Sequence, residues 1–375
     1  MKMKWLFWIS AATIGYSYLG YPLWLWLRSR WAPRPVRRGA NEPSVSAVMV
    51  VRNEETAIAR KLENLLALDY PGGKLEIVIV SDGSNDGTAE VLGRFAGDPR
   101  VRTIMKSASQ GKAAGLNDAM QSVRGDVLLF TDVRQQIEPC ALRFLVENFG
   151  DPEVGVASGE LILGDPASGE AGKGLSLYWR MEKRIRELES ASGSVVGATG
   201  AIYCARRNLI DPLPEGTILD DVLLPLQVAR RGLRVVFDSR AKAWDSPNLG
   251  EAREFSRKVR TLSGNYQLLQ LAPWLLRREN PVRFEFVSHK LSRLAVPFGL
   301  LGLLTASMFL RQPFYRAALV AQLAFYGLSL TALGGVRSGP LARVADAARV
   351  FVVLNSAAIV AFVNFVTGRK AVWVR

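Results

Sequence analysis

Three short apolar runs, each broken off by polar residues and followed or preceded by a helical pattern, organise the first part of the chain. Ser46 to Glu55 reads SAVMVVRNEE, an apolar stretch that stops at Arg52 and Asn53 and passes into a segment with Ile58, Leu62 and Leu65 on one helical face. Leu75 to Val80 is a second run, which delivers Asp82 onto the glycine-containing turn of VSDGSNDGT, Val80 to Thr88. Val127 to Thr131 is a third; it ends at Asp132 and follows a helix-like segment from Gly111 to Gln121. Continuous rather than alternating apolarity predicts strands covered on both faces, and parallel strands require crossovers, so the pattern predicts an α/β fold with a mixed, mostly parallel sheet. Open sheets of this kind bind ligands at the C-terminal edge of their strands, where Asp82 is delivered. A plainer local reading of that turn is a helix cap made by Ser84 or Asp86.

Longer apolar runs lie at both ends. Trp5 to Leu27 is uncharged and exceeds the about 20 residues a bilayer span needs. It lacks a small-residue cleavage site and ends in Tyr21, Trp24 and Trp26, which predicts an anchor rather than a removable signal. Leu294 to Leu310 and Phe314 to Leu333, separated by Arg311 and Pro313, read as a membrane hairpin, and Val350 to Val366 as a further pass. The predicted organisation is therefore a transmembrane helix over 1–27, a basic juxtamembrane linker over 28–43, the α/β domain over 44–247, an amphipathic interfacial region over 248–293, transmembrane helices over 294–367 and a basic tail over 368–375. In the amphipathic region Phe255, Val259, Leu262, Tyr266 and Leu269 form an apolar stripe opposite Arg253, Arg257 and Arg260.

Charge adds orientation. Arg28, Arg30, Arg34, Arg37 and Arg38 follow the first run, and Arg277, Arg278, Arg283, Lys290 and Arg293 precede the second, so the domain between them is expected in the cytoplasm, on an inner or plasma membrane. Three C-terminal passes would leave Arg369, Lys370 and Arg375 on the far side, so either one run lies in the interface or the tail departs from the trend. The net charge of +14 raises nucleic acid as a partner, but much of the excess flanks membrane runs, where it serves topology and anionic headgroups; no nucleic acid is expected. Cys140 and Cys204 have no metal-ligand spacing and His289 is the one histidine, which leaves a zinc site or a histidine-based triad unsupported. Beside Lys290 at the start of a membrane run, His289 reads as an interfacial side chain.

VVRNEE at Val50 to Glu55, Val80 to Thr88, GKAAGLNDA at Gly111 to Ala119, Phe130 to Asp132 and Leu219 to Asp221 fall in the order and spacing of family 2 glycosyltransferases. Over roughly Ser46 to Gly264 the chain resembles the membrane-bound members, such as cellulose, hyaluronan and poly-N-acetylglucosamine synthases. The resemblance implies a GT-A fold that binds a nucleotide-activated sugar, usually a UDP-sugar, and inverts the anomeric centre on transfer to a lipid-linked or glycan acceptor, as in cell-envelope or exopolysaccharide synthesis. It implies that Arg52, Asn53, Glu54 and Asp82 hold uracil and ribose and that Lys112 lies near the nucleotide. Asp221 becomes the catalytic base with Asp220 beside it, and Gly200 belongs to the acceptor-side loop within GATGAIY, Gly197 to Tyr203.

Two departures matter. The family usually carries Asp-x-Asp after the third strand, its second carboxylate helping to hold a divalent cation, Mg or Mn, against the diphosphate; here the residues are Asp132, Val133 and Arg134. Asp132 remains a candidate ligand, whereas a guanidinium has no lone pair to offer a metal. Either Arg134 pairs with the diphosphate directly, or it faces away and another carboxylate completes the site. Processive relatives carry Gln-x-x-Arg-Trp near the amphipathic region; Arg257-Lys258-Val259-Arg260-Thr261 lacks the tryptophan, leaving Arg257 and Arg260 either for the diphosphate or for lipid headgroups. Locally, Asp220 and Asp221 open a helical pattern: adjacent carboxylates repel and raise one pKa, and both also suit a helix N-terminus. A protein of another class, a degenerate membrane scaffold that binds nucleotide sugar or a partner subunit without transfer, fits the altered Asp-x-Asp.

Overall fold

The computed structural model describes residues 1–164, 177–245, 251–331 and 340–369. The sheet is built from β1 (Val45–Val51), β2 (Leu75–Asp82), β3 (Val101–Lys106), β4 (Val127–Phe130), β5 (Gln136–Ile137), β6 (Val154–Leu163), β7 (Tyr203–Arg206) and β8 (Arg234–Asp245), in the order β3-β2-β1-β4-β7-β6-β8-β5. β1 pairs in parallel with both β2 and β4, β2 with β3 and β6 with β8, while β7 and β5 run against their neighbours. The parallel core of β1, β2 and β4 is what the continuous apolar runs predict, and the antiparallel β5 and β7 make the sheet mixed, as the resemblance implies.

Register explains where the polar loops go. Val48 lies opposite Val78 on one side and Phe130 on the other, so β1, β2 and β4 release Arg52, Asp82 and Asp132 at one edge. β7 runs the other way, with Tyr203 opposite Phe130, so the Gly197 to Ile202 loop that precedes it reaches the same edge. The two rings stack with centroids 4.7 Å apart. Successive β1 residues face opposite ways: Ala47 and Met49 join one buried cluster with Ile58, Leu62 and Leu65, and Val48 joins another with Leu116, Leu224 and Leu226. Burying a leucine of this kind is worth about 2 kcal/mol, so a one-residue slip of β1 would forfeit both faces.

Helices cover the sheet. α1 (Lys2–Gly15) and α2 (Tyr21–Trp31), joined through a π-turn at Tyr16–Gly20, precede it; α3 (Ile58–Leu66), α4 (Thr88–Gly93), α5 (Lys112–Ser122), α6 (Ala141–Glu147), α7 (Leu177–Ser192) and α8 (Asp220–Arg230) lie between strands. Beyond β8 come α9 (Glu251–Leu271), α10 (Arg283–Phe286), α11 (Ser292–Phe309), α12 (Pro313–Thr331) and α13 (Pro340–Val366). α10 and α11 are continuous through a π-turn at Val287–Leu291. The apolar stripe of α9 is covered by protein: Tyr266 stacks on Phe365 of α13, with Leu262 and Leu294 in the same cluster, and Leu268 enters the sheet's core.

Among the described residues two helical stretches, Arg283–Phe309 and Val344–Val366, are long and apolar enough to cross a membrane. The second contains the expected run Val350 to Val366, and the first covers the expected run Leu294 to Leu310 except for Leu310, which lies past the helix end. The N-terminal helix and α12 are helical but are not among the two. Tyr16, Tyr18, Tyr21, Trp24 and Trp26 dilute the apolar character of the first, and Arg316 and Gln322 that of the second. Leu333 and the charged tail at Lys370 and Arg375 lie outside the described residues.

Candidate active site

The first wall of the site is two loops tied together. Asn53 adopts φ 56°, a left-handed conformation that asparagine tolerates better than most residues. Its side-chain Oδ1 accepts from the Asn85 N–H at 2.9 Å, and its backbone N–H donates to the Ser84 hydroxyl at 3.1 Å. The Glu54 N–H reaches the Thr88 hydroxyl at 2.8 Å, and the Gly87 N–H reaches Glu55 at 2.7 Å. Glu54 is raised above the ordinary carboxylate range by burial, against the pull of Arg134 and with the push of Asp86 and Asp132, which brings all these groups into one electrostatic neighbourhood.

Asp82, at the end of β2, is almost fully buried and works largely as a fastener. It accepts from the Ser109 hydroxyl at 2.7 Å and from the Gln110 and Gly111 N–H groups at 2.9 and 2.8 Å. Burial alone would raise its pKa, but these donors and Lys106 hold it below the usual value. Asp82 also lines a small cleft together with Val50, Val51, Arg52, Ser109 and Lys112. Gly83, at φ +64°, lies so close to Ala108 and Ser109 that a Cβ would clash with their backbone. The two turns are thereby locked, and the second launches α5 at Lys112.

Lys112 is the centre of the arrangement. Its ammonium lies 2.9 Å from Asp132 after β4 and 3.1 Å from Asp220 at the start of α8. Burial works against its charge, yet Asp132, Asp220 and Asp221 outweigh it and raise its pKa above the lysine norm. Asp221 responds oppositely: burial and its neighbour Asp220 push it up to about 6, against Lys112, with Asp132 raising it further and Lys290 lowering it. Its carboxylate faces Gly200, where a Cβ would stand 3.0 Å from the acid oxygen, and its backbone carbonyl accepts from the Ala198 N–H at 2.7 Å. The glycines of GATG thus let a turn close over the acid.

Arg134 points to Asp245 at the end of β8, 3.6 Å away, and Arg257 of α9 approaches the same carboxylate at 3.8 Å. Asp245 is also fixed by the Gln135 side-chain amide at 3.0 Å. Arg260 lies one turn beyond Arg257 on α9. The two basic side chains Arg134 and Arg257 therefore share one buried acid, Asp245, rather than facing solvent alone.

Two residues escaped the sequence reading. Lys61 is fully buried in α3, its ammonium donating to the Thr131 hydroxyl at 2.8 Å and the Gln135 carbonyl at 2.7 Å. Burial pulls its pKa down to about 7, against Asp132. Its signal was a lysine beside Ile58, Leu62 and Leu65 on the apolar face. Tyr203 is the other: its buried hydroxyl has no hydrogen-bond partner among the described residues, and burial together with Asp220, Asp221 and Asp132 raises its pKa well above normal.

His289 is not the exposed interfacial side chain that its position beside Lys290 suggests. It is buried between two acids, Nδ1 lying 2.8 Å from Glu189 and Nε2 3.1 Å from Glu182, because α7 packs its acidic face against the start of the C-terminal helices.

A mixed, mostly parallel sheet that gathers polar loops, a bridging lysine and a raised acid at one edge has the architecture of a GT-A fold. Residues 46–211 match the Glycosyl transferase family 2 description, and the chain carries a domain of that family. A beta-monoglucosyldiacylglycerol synthase of Synechocystis is 25% identical over 192 residues, 50% of this chain and 40% of that protein. A poly-beta-1,6-N-acetyl-D-glucosamine synthase of Staphylococcus aureus is 24% identical over 230 residues, 60% of this chain and 55% of its own length. The match spans about half the length of these curated relatives. A mannosyltransferase from Pyrobaculum calidifontis, solved with GDP-Man and Mn2+, shares the fold with a TM-score of 0.72 at 21% identity, over 97% of this chain and all of that one.

Among the described residues no group of three His, Cys, Asp or Glu side chains is placed to hold a metal. Of the Asp-x-Asp positions only Asp132 carries a carboxylate, the second being Arg134. That donor set fits a hard cation that arrives with a diphosphate, because Mg2+ at phosphate sites commonly takes one or two protein carboxylates and fills its shell with phosphate oxygens and water.

Proposed function

We propose that this protein is an integral-membrane inverting glycosyltransferase whose domain faces the cytoplasm and moves a sugar from a nucleotide-sugar, a UDP-sugar by preference, to a lipid-linked or glycan acceptor. The observation that carries the reading is the Lys112 bridge, which ties Asp132 on the nucleotide side to Asp220 beside the base. Arg52, Asn53, Glu54 and Asp82 form the nucleoside wall. Arg134, Arg257 and Arg260 stand toward the diphosphate, and Gly200 opens the acceptor side. Asp221, raised to about 6, is poised to accept a proton near neutral pH. As it takes the proton of an acceptor hydroxyl, the acceptor oxygen bonds to the anomeric carbon and the nucleoside diphosphate leaves from the opposite face. A divalent cation held by Asp132 and the diphosphate would neutralise the departing charge; the complex of the Pyrobaculum relative supports that use.

Membrane integration is supported by the two long apolar helices and by the outward-facing Trp5, Ile9, Leu301, Phe309, Leu330 and Val363. The basic clusters before and after the domain support its cytoplasmic side. The test is turnover of a panel of UDP-sugars and GDP-mannose in nanodiscs, with Mn2+, Mg2+ or chelator. Release of nucleoside diphosphate with one donor is the expected result. Tight nucleotide binding without turnover of any donor, with every acceptor offered, would instead make the protein a scaffold.

A further inference from the structure

At the start of the C-terminal membrane helix lies a cluster the transfer chemistry has not used. Glu182 of α7 is shared by Arg186, by Nε2 of His289 and by Arg293, the last also lying over the Tyr178 ring. Glu189 accepts from the Tyr21 hydroxyl at 2.6 Å and meets Nδ1 of His289. The two acids are thus spent on internal partners, whereas cationic capacity is left over. One terminal nitrogen of Arg293, Nη2, is buried and has no hydrogen-bond partner among the described residues. Lys290 is half-buried and, among the described residues, makes neither a hydrogen bond nor an ion pair, although its charge is felt by Glu182 and by Asp221.

This cluster is wired to the base. Arg186 donates to the Thr199 hydroxyl at 2.5 Å, and the Thr199 N–H donates to Ser158 at 2.8 Å, fixing the turn whose next residue, Gly200, faces the Asp221 carboxylate. An unpaired ammonium, and a guanidinium with one buried nitrogen unsatisfied beside its acid, are costly unless an anion completes them, and buried polar groups left unpaired mark a missing partner. The position, where the helix Arg283–Phe309 begins, suits a group held at headgroup depth.

We propose that Lys290 and Arg293 bind the phosphate of a membrane-anchored acceptor, with Arg186 holding the turn that presents the acceptor hydroxyl to Asp221. This rests on the glycosyltransferase reading and gives its acceptor a chemical class. The phosphate itself is not altered: the hydroxyl's O–H bond breaks, its proton goes to Asp221, its oxygen bonds to the anomeric carbon, and the bond from that carbon to the diphosphate breaks. Arg293 forks between Glu182 and the phosphate, a geometry a guanidinium provides and an ammonium does not.

The experiment uses the full chain in phosphatidylcholine nanodiscs with UDP present. Dodecyl phosphate is titrated in one arm, phosphatidylglycerol is mixed into the discs in a second, and dodecyl glucoside serves as the neutral control; binding is read by intrinsic fluorescence. The parent is expected to bind at least one phosphate probe, the monoester marking a lipid monophosphate and the diester a phospholipid headgroup. Lys290→Gln is expected to weaken that binding at least tenfold and leave UDP affinity unchanged. Arg293→Lys, which keeps the charge and the Glu182 pair but loses the fork, is expected to do the same to a smaller degree. If neither phosphate probe binds better than the glucoside, or if the folded Lys290→Gln protein binds them as the parent does, the proposal is overturned. Absence of donor turnover with phosphate binding intact would count against the glycosyltransferase reading alone.

Discussion

The Lys112 ammonium lies 2.9 Å from the Asp132 carboxylate, and the same nitrogen reaches Asp220, so one cation joins the end of β4 to the start of α8. Lys112 is only 18% exposed and Asp220 only 6%, while Asp132 stands half in solvent at 43%. On the sheltered Asp220 side, removing the lysine leaves an acid uncompensated. The bridge also sets the charge that Asp221 feels.

Lys112→Met tests it. Loss of the cation should move Asp221 further above its present value of about 6, so the acid limb of the kcat/KM profile should shift to higher pH. Transfer should fall by about two to three orders of magnitude, the usual worth of one stabilising group aimed at developing charge. An unchanged acid limb would show that Lys112 does not act on the base.

Asp221→Asn separates base from structure. Transfer should drop by about two to four orders of magnitude with nucleotide affinity nearly unchanged. For stability, a carboxyl whose folded pKa is raised binds more protons folded than unfolded between about 4 and 6, so the ionised acid weakens the fold as pH rises through that window. The variant should therefore be more stable than the parent at pH 8, by about 1–2 kcal/mol, with the advantage fading toward pH 4. Asp220→Asn should cost less transfer. Equal activity of parent and Asp221→Asn protein would remove the base assignment.

Much of this edge was legible because its signals are local. A run such as Leu75 to Val80 that stops at an acid states both a buried strand and the loop that leaves it, and Asp82, Lys112, Asp132 and Asp220 meet at one sheet edge as those patterns imply. What was not legible depends on partners distant in sequence. His289 reads as interfacial until α7 supplies Glu182 and Glu189, about a hundred positions away. The apolar stripe of α9 reads as a lipid-facing surface until α13 covers Tyr266. Arg134 could be assigned no partner before β8 delivered Asp245 beneath it.

Lys61 offers a test of support rather than chemistry. A lysine whose folded pKa is depressed to about 7 binds fewer protons folded than unfolded between there and its ordinary value, so it contributes increasing stability as pH rises through that range and is a liability below it. Lys61→Met should therefore be at least as stable as the parent at pH 6. It releases Thr131 and Gln135, which flank Asp132 and Arg134, so donor affinity should fall about tenfold. A stable variant with parental donor affinity would make Lys61 a packing residue only.

Arg134 decides how the diphosphate is neutralised where a second Asp-x-Asp carboxylate is missing. Its guanidinium is 39% exposed and shares Asp245 with Arg257 at 3.6 and 3.8 Å, distances long enough that neither pair is a tight hydrogen-bonded fork. A diphosphate oxygen would therefore compete well for either arginine. Arg134→Ala is expected to weaken UDP binding about tenfold, the 1.4 kcal/mol of one charge-assisted contact, while uridine binding stays as in the parent. Arg134→Asp should go further in one respect: it restores a second carboxylate, so UDP affinity should come to depend on Mn2+ more steeply than in the parent, at the cost of repulsion from Asp245. Isothermal titration of UDP and uridine, with and without Mn2+, reads both variants. If Arg134→Ala loses uridine and UDP affinity equally, the arginine supports the loop through Asp245 and does not touch the diphosphate.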